Sequence, residues 1–149
     1  MIGNGGGERG FTLIELVVVL TLLGLFLLVL PPVLGSGGGI GLKAAARDVA
    51  GGLKRAQSRA IARNEEVVFV LDLNAHHFRV GGEREARPLP DGVGLRLYTA
   101  QSELVDSATG AIRFYPDGSS TGGEVALSSG AREYHVAVDW LTGRVRVRD

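Results

Sequence analysis

Glu15 is the one carboxylate in an otherwise apolar run, residues 11–30, whose other polar members are Thr12 and Thr21. At about 1.5 Å per residue, a helix over this run measures roughly 30 Å, the thickness of a membrane's hydrocarbon core. A charge at that depth costs on the order of 2.5–3.5 kcal/mol on insertion scales, so the carboxylate calls for a counter-charge. Its place near the helix start also lets it reach the headgroups and meet the positive end of the helix dipole. A second group is the alternation Arg144-Val145-Arg146-Val147-Arg148. On a strand its three guanidinium groups share one face, either solvated with the valines inward or tracking phosphates. Other constellations are weaker. His76 and His77 are adjacent, so in a strand they point to opposite faces and make a poor chelate. Asp117 with Ser119 and Ser120 offers a calcium ion a single carboxylate, thin for an oxygen cage. The glycines before Lys43 do not form a phosphate-cradling loop, because Leu42 stands where glycine is needed and no strand precedes them. No serine has a histidine and an acid at motif spacing and no carboxylate pair stands out, so neither catalysis nor a metal or cofactor is expected.

The elements that carry these groups follow from periodicity. An apolar helix is expected over residues 11–34, ended or kinked by Pro31-Pro32. The glycine-rich stretch 35–41 reads as a hinge. From 42 to 63 the period is helical: Leu42, Ala46, Val49, Leu53, Ala56 and Ala60 fall in one wedge, opposite Lys43, Arg47, Lys54, Arg55, Arg59 and Arg63. That basic face is a solvated surface, or in an assembly faces acidic neighbours or anionic headgroups. Beyond Asn64 the period becomes two, with strands expected at 66–72, 77–80, 94–99, 111–115, 124–127, 134–140 and 144–148. Pro116-Asp117-Gly118 is a turn, through proline's fixed φ and glycine's freedom at positive φ. The fold class is then α+β: a long helix laid on a small antiparallel β domain over 64–149.

Composition narrows the classes further. The chain has 149 residues, enough for one small domain after the apolar segment, and its 16 basic and 16 acidic residues cancel. No global field points to nucleic acid or to an acidic substrate. The absence of cysteine excludes disulfides, thiolate metal sites and cysteine nucleophiles. A conventional signal peptide is the competing reading of the N-terminus. Against it, the leader carries only Arg9 against Glu8, and Glu15 lies inside the apolar block.

Gly10-Phe11-Thr12-Leu13-Ile14-Glu15, followed by the apolar run, resembles the N-terminus of the type IV pilin and pseudopilin superfamily. The resemblance implies that Gly10 ends a cytoplasmic leader, residues 1–10, cut by a prepilin peptidase. It implies that Phe11 becomes the N-methylated first residue, and that Glu15 meets the α-amine of a neighbouring subunit. Toward the C-terminus, Phe114-Tyr115-Pro116-Asp117-Gly118-Ser119-Ser120-Thr121-Gly122-Gly123 and the hairpin Leu141-Thr142-Gly143-Arg144 look like the GspH-type minor pseudopilins of type II secretion. The glycine-rich hinge departs from the more continuous helix of that family.

What the resemblance implies is a pilin-like subunit of a pseudopilus tip, in the inner membrane with its β domain in the periplasm. It would aid filament assembly and protein export across the outer membrane. Implied partners are other minor and major pseudopilins, the prepilin peptidase, inner-membrane lipid and secreted proteins. The alternative is a FimT- or FimU-like minor type IV pilin, with Arg144, Arg146 and Arg148 as a nucleic-acid patch. Gly143-Arg144-Val145-Arg146 matches the G-R-x-R tail of such pilins, but GspH-type tails also carry T-G-R-V, and nucleic acid is not the expected partner. A membrane-anchored enzyme has no supporting site.

Overall fold

The computed structural model describes residues 12–35 and 38–149, with the side chains of residues 27–40 left out of the description. The chain divides into two units, Met1–Gly37 and Gly38–Asp149. The first contains α1, Leu13–Gly35. Thr12 caps it: its hydroxyl accepts from Glu15 N (3.3 Å) and its carbonyl from Glu15 N and Leu16 N (3.0 and 3.2 Å). Threonine three residues before a glutamate is the sequence form of a capping box, which satisfies amides that have no partner in the first turn. The helix continues through Pro31-Pro32 to Gly35, so the prolines do not end it. Each removes a ladder bond, yet its fixed φ of about −65° is itself helical. Among the described residues no helix is long and apolar enough to cross a membrane. The span expected over 11–34 draws on Phe11 and on side chains after Phe26, which lie outside the description.

The second unit is built around α2, Gly38–Arg63. It begins inside the stretch expected to be a hinge. Glycine is a poor helix former, but a helix in a protein is held chiefly by the apolar face it buries. Here that face is large. All six residues of the apolar wedge are buried, joined by Ala45 and Ala50. The helix ends on Asn64 at φ +53°, with Glu65 N bonded to Ala60 O at 3.3 Å. That six-to-one bond after a left-handed residue is the Schellman way of satisfying the last carbonyls, and asparagine tolerates the position better than most side chains.

Eight strands follow: β1 (Val67–Asp72), β2 (His77–Val80), β3 (Arg87–Pro88), β4 (Gly94–Tyr98), β5 (Thr109–Phe114), β6 (Gly123–Ser129), β7 (Arg132–Val138) and β8 (Val145–Arg148), with a 3-10 turn at Gln101–Glu103. They form two four-stranded antiparallel sheets, ordered β3-β2-β1-β5 and β4-β6-β7-β8. The two-residue β3 falls where no strand is expected, since two residues carry no readable alternation. His76 lies in the β1–β2 turn at φ +47°, not in a strand beside His77. Helix α2 packs on strands of both sheets. The core joins its apolar wedge to Phe69, Leu71, Phe78, Ile112 and Phe114 of one sheet and Val125, Leu127, Val136 and Val138 of the other. Phe69 and Phe78 stack with ring centroids 5.1 Å apart.

Candidate assembly surfaces

In the first unit, Glu15 is exposed in the opening turn of α1, and among the described residues no cation lies within ion-pair distance. Around it the helix is apolar on every side: Leu13, Ile14, Leu16, Val17, Leu20, Leu23 and Phe26 are all more than half exposed. A helix without a polar face cannot be left in water, so lipid or other protein must cover it. Gly10 and Phe11 lie outside the described residues.

In the second unit, the signature between Phe114 and Arg144 folds into a corner whose polar groups are used by the corner itself. Tyr115 N bonds Ser119 O (2.9 Å), Gly118 N bonds Tyr115 O (2.9 Å), and Ser120 N crosses to Trp140 O (2.8 Å). Asp117 Oδ1 accepts from the backbone and hydroxyl of Ser119. Asp139 Oδ1 accepts from Leu141 N, Thr142 N and the Thr142 hydroxyl at 2.8–3.1 Å. The buried Ser120 hydroxyl takes Gly122 N at 2.8 Å. Gln57 of α2 ties the two turns together, its Nε2 donating to Gly118 O and Thr142 O, both at 2.9 Å. Sequence reasoning read the two turns but missed Gln57. Its only signal is a place at the border of the apolar wedge, one turn after Leu53.

Trp140 stands 66% exposed on this braced corner, with Leu141 and Ile61 also exposed. Because it is the only tryptophan, it reports on the corner. The Asp139 carboxyl is held below its ordinary range first by the Thr142 amide, and Asp117 first by the Ser119 hydroxyl. A depressed carboxyl contributes its full stability above the unfolded value, about 3.9, and loses it as pH falls through the folded value. Trp140 emission is therefore expected to stay constant from about pH 8 to pH 5 and to shift below about pH 4. In Asp139→Asn the acid limb becomes shallower; an unchanged titration in that variant counts against this origin.

Of the arginines in the C-terminal alternation, Arg146 and Arg148 lie on β8 and share a face, while Arg144 precedes the strand. Register sets Arg148, His135, Ala126 and Arg96 in one row across β8, β7, β6 and β4, with Arg146, Ala137, Glu124 and Tyr98 in the next. The face is laced with ion pairs and hydrogen bonds. Arg148 meets Glu124 at 3.3 Å, Glu124 meets His135 Nδ1 at 2.8 Å, and Arg96 bonds Glu133. Arg146 lies near enough to Asp139 to favour its ionised form. The inward valines do not behave alike: Val145 is half-buried, whereas Val147 is 45% exposed, because no strand lies beyond β8.

The basic side of α2 is partly tied back. Arg55 Nε meets Glu83 at 3.1 Å, Arg59 donates to Gly81 O at 2.8 Å and Arg63 reaches Glu65 at 3.8 Å. Lys43, Arg47 and Lys54 remain exposed. A further ion pair was not foreseen from the sequence: Glu103, 7% exposed, accepts from Arg113 at 3.2 Å, and Arg113 also reaches Glu66 at 3.1 Å. The Glu103 bond, first of all, holds the Arg113 guanidinium above its ordinary value.

Residues 45–142 match the family model described as type II transport protein GspH, and residues 6–31 match the prokaryotic N-terminal methylation motif. The chain is 30% identical over 139 residues to type II secretion system protein H of Xanthomonas campestris pv. campestris, covering 93% of this chain and 82% of that one. The fold is shared with the type IV minor pilin FimU of Pseudomonas aeruginosa PAO1 (TM-score 0.58, 11% identity, 76% of this chain and 92% of that one). It is shared also with the minor pseudopilin EpsH from the type 2 secretion system of Vibrio cholerae (TM-score 0.54, 14% identity, 72% and 95%).

Proposed function

Because this chain belongs to the GspH family of type II transport proteins, we propose that it serves as a minor pseudopilin, a structural subunit near the tip of a short filament that drives protein export. The observation that carries the reading is the pairing, in one chain, of an apolar α1 holding a lone carboxylate with a pilin-like β domain whose signature residues are spent on folding. The prepilin peptidase cuts after Gly10, Phe11 is N-methylated, and α1 anchors the subunit in the inner membrane with residues 38–149 in the periplasm. On assembly α1 leaves lipid for a filament core of other helices, and Glu15 gains the α-ammonium of a neighbouring subunit. Major and minor pseudopilins are its partners, and secreted proteins are the cargo its filament moves.

Losing one member of a buried ion pair costs about 3–5 kcal/mol, so Glu15→Ala is expected to reduce incorporation by about a hundredfold or more. Membrane insertion and leader cleavage stay intact in that variant, while Gly10→Val keeps the leader, as N-terminal sequencing reads. Normal filament incorporation and secretion with Glu15→Ala would overturn the assignment. The FimU-like fold favours a second reading, a type IV minor pilin that touches nucleic acid through Arg144, Arg146 and Arg148. The balance of 16 basic and 16 acidic residues weighs against it.

A further inference from the structure

We propose that β8 is a docking edge for an extended segment of another protein, one that alternates acidic and apolar residues. Asp139 N bonds Arg144 O at 3.0 Å, so residues 139 and 144 form a hydrogen-bonded pair of the β7–β8 ladder. Antiparallel pairs alternate, and the register Ala137↔Arg146 and Val136↔Val147 therefore turns the amide and carbonyl of Val145 and Val147 away from β7. Those four groups have no backbone partner among the described residues. The other sheet's edges are shorter or bridged: β3 is two residues long, and β5 is bridged by Leu104 and Ser120.

Side chains specify the occupant. On the inner face, Val147 ends the apolar row Val147, Val136, Val125, Leu97, and it is 45% exposed where Val136 and Val125 are fully buried. One more strand would complete that row with an apolar residue. On the outer face the same strand would set its alternate residues beside Arg146 and Arg148, where carboxylates are favoured and cations repelled. Arginine opposite arginine also disfavours a second copy of β8, the usual way in which charge protects an edge from its own kind. Backbone bonds supply the attachment and the alternating side chains the choice of partner, which is recognition by strand addition.

The test uses the full-length protein in detergent micelles and two blocked synthetic peptides, one alternating glutamate with valine and the other lysine with valine. Amide hydrogen exchange is expected to show protection at Val145 and Val147 with the glutamate peptide, which binds about tenfold more tightly than the lysine peptide. Val147→Pro removes one outward donor without touching a β7 bond and should abolish binding. Arg146→Glu, which leaves the ladder intact, should narrow or reverse the preference between peptides. Equal binding of the two peptides, or binding without protection of these amides, overturns the proposal. So does protection that grows with protein concentration alone, which makes the occupant a second copy. Binding of a DNA duplex in place of the glutamate peptide assigns the arginines to phosphate instead. The readout is binding, not secretion, so its failure leaves the subunit role standing.

Discussion

Gly52→Ala destabilises the second unit by about 2 kcal/mol, whereas Gly51→Ala, one residue earlier in the same helix, stabilises it by roughly 0.5–1 kcal/mol. Alanine at either site improves helix propensity by a similar amount, because glycine costs a helix interior about 1 kcal/mol. What differs is the neighbourhood of the added methyl group. At 52 it would lie 2.5 Å from Phe78 Cε2 and 2.9 Å from Phe69 Cε2, inside van der Waals contact with two stacked rings. Both rings are fully buried and cannot retreat without disturbing the core. At 51 the nearest atom is Arg55 Nη1 at 3.5 Å, an ordinary contact. The helix is held close to the sheet at Gly52 by the absence of a side chain. Thermal denaturation of the full chain, followed by circular dichroism, should place the Gly52→Ala midpoint roughly 10 °C below the parent and that of Gly51→Ala above it. Equal shifts of the same sign would refute the close-packing account.

Gly143→Ala should be the more damaging single change, at about 3 kcal/mol or more. Gly143 sits at φ +62°, where a side chain costs on the order of 1–2 kcal/mol before any contact is counted. Its methyl group would also overlap the Gly118 carbonyl oxygen and Gln57 Nε2. These are the atoms of one bond of the tie between the two turns. Gln57→Ala alone removes the shared donor from two carbonyls, with an expected cost of about 1–3 kcal/mol. Since that truncation clears space for the methyl group, the double variant should lose less than the sum of the single ones. Denaturant midpoints read the three losses, and Trp140 emission reports whether the corner opens ahead of the rest. Strict additivity would mean that Gln57 and Gly143 do not share the corner.

The parts of this molecule visible from its sequence are those set by short-range rules. The spacing of Leu42, Ala46, Val49, Leu53, Ala56 and Ala60 marks one buried face. Pro116-Asp117-Gly118 and Asp139 through Gly143 carry their turns in their own side chains. The glycines of 38–41 are helical even though they lie in the stretch read as a hinge, because propensity is a local cost, outweighed here by what the next five turns of helix bury.

Alternation in residues 145–148 was enough to place Arg146 and Arg148 on one face and the two valines on the other. It could not say which face would be covered, or how completely. That depends on strand order, and β8 comes last in its sheet, leaving Val147 in the open. The same holds for Gln57 reaching Gly118 and Thr142, for Arg113 between Glu103 and Glu66, and for Gly52 under two phenylalanines. Each joins residues far apart along the chain, so no periodicity records it. Local propensity and periodicity decided where helices, strands and turns form; only the packed arrangement decided which backbone groups, charges and apolar surfaces found a partner and which were left for another molecule.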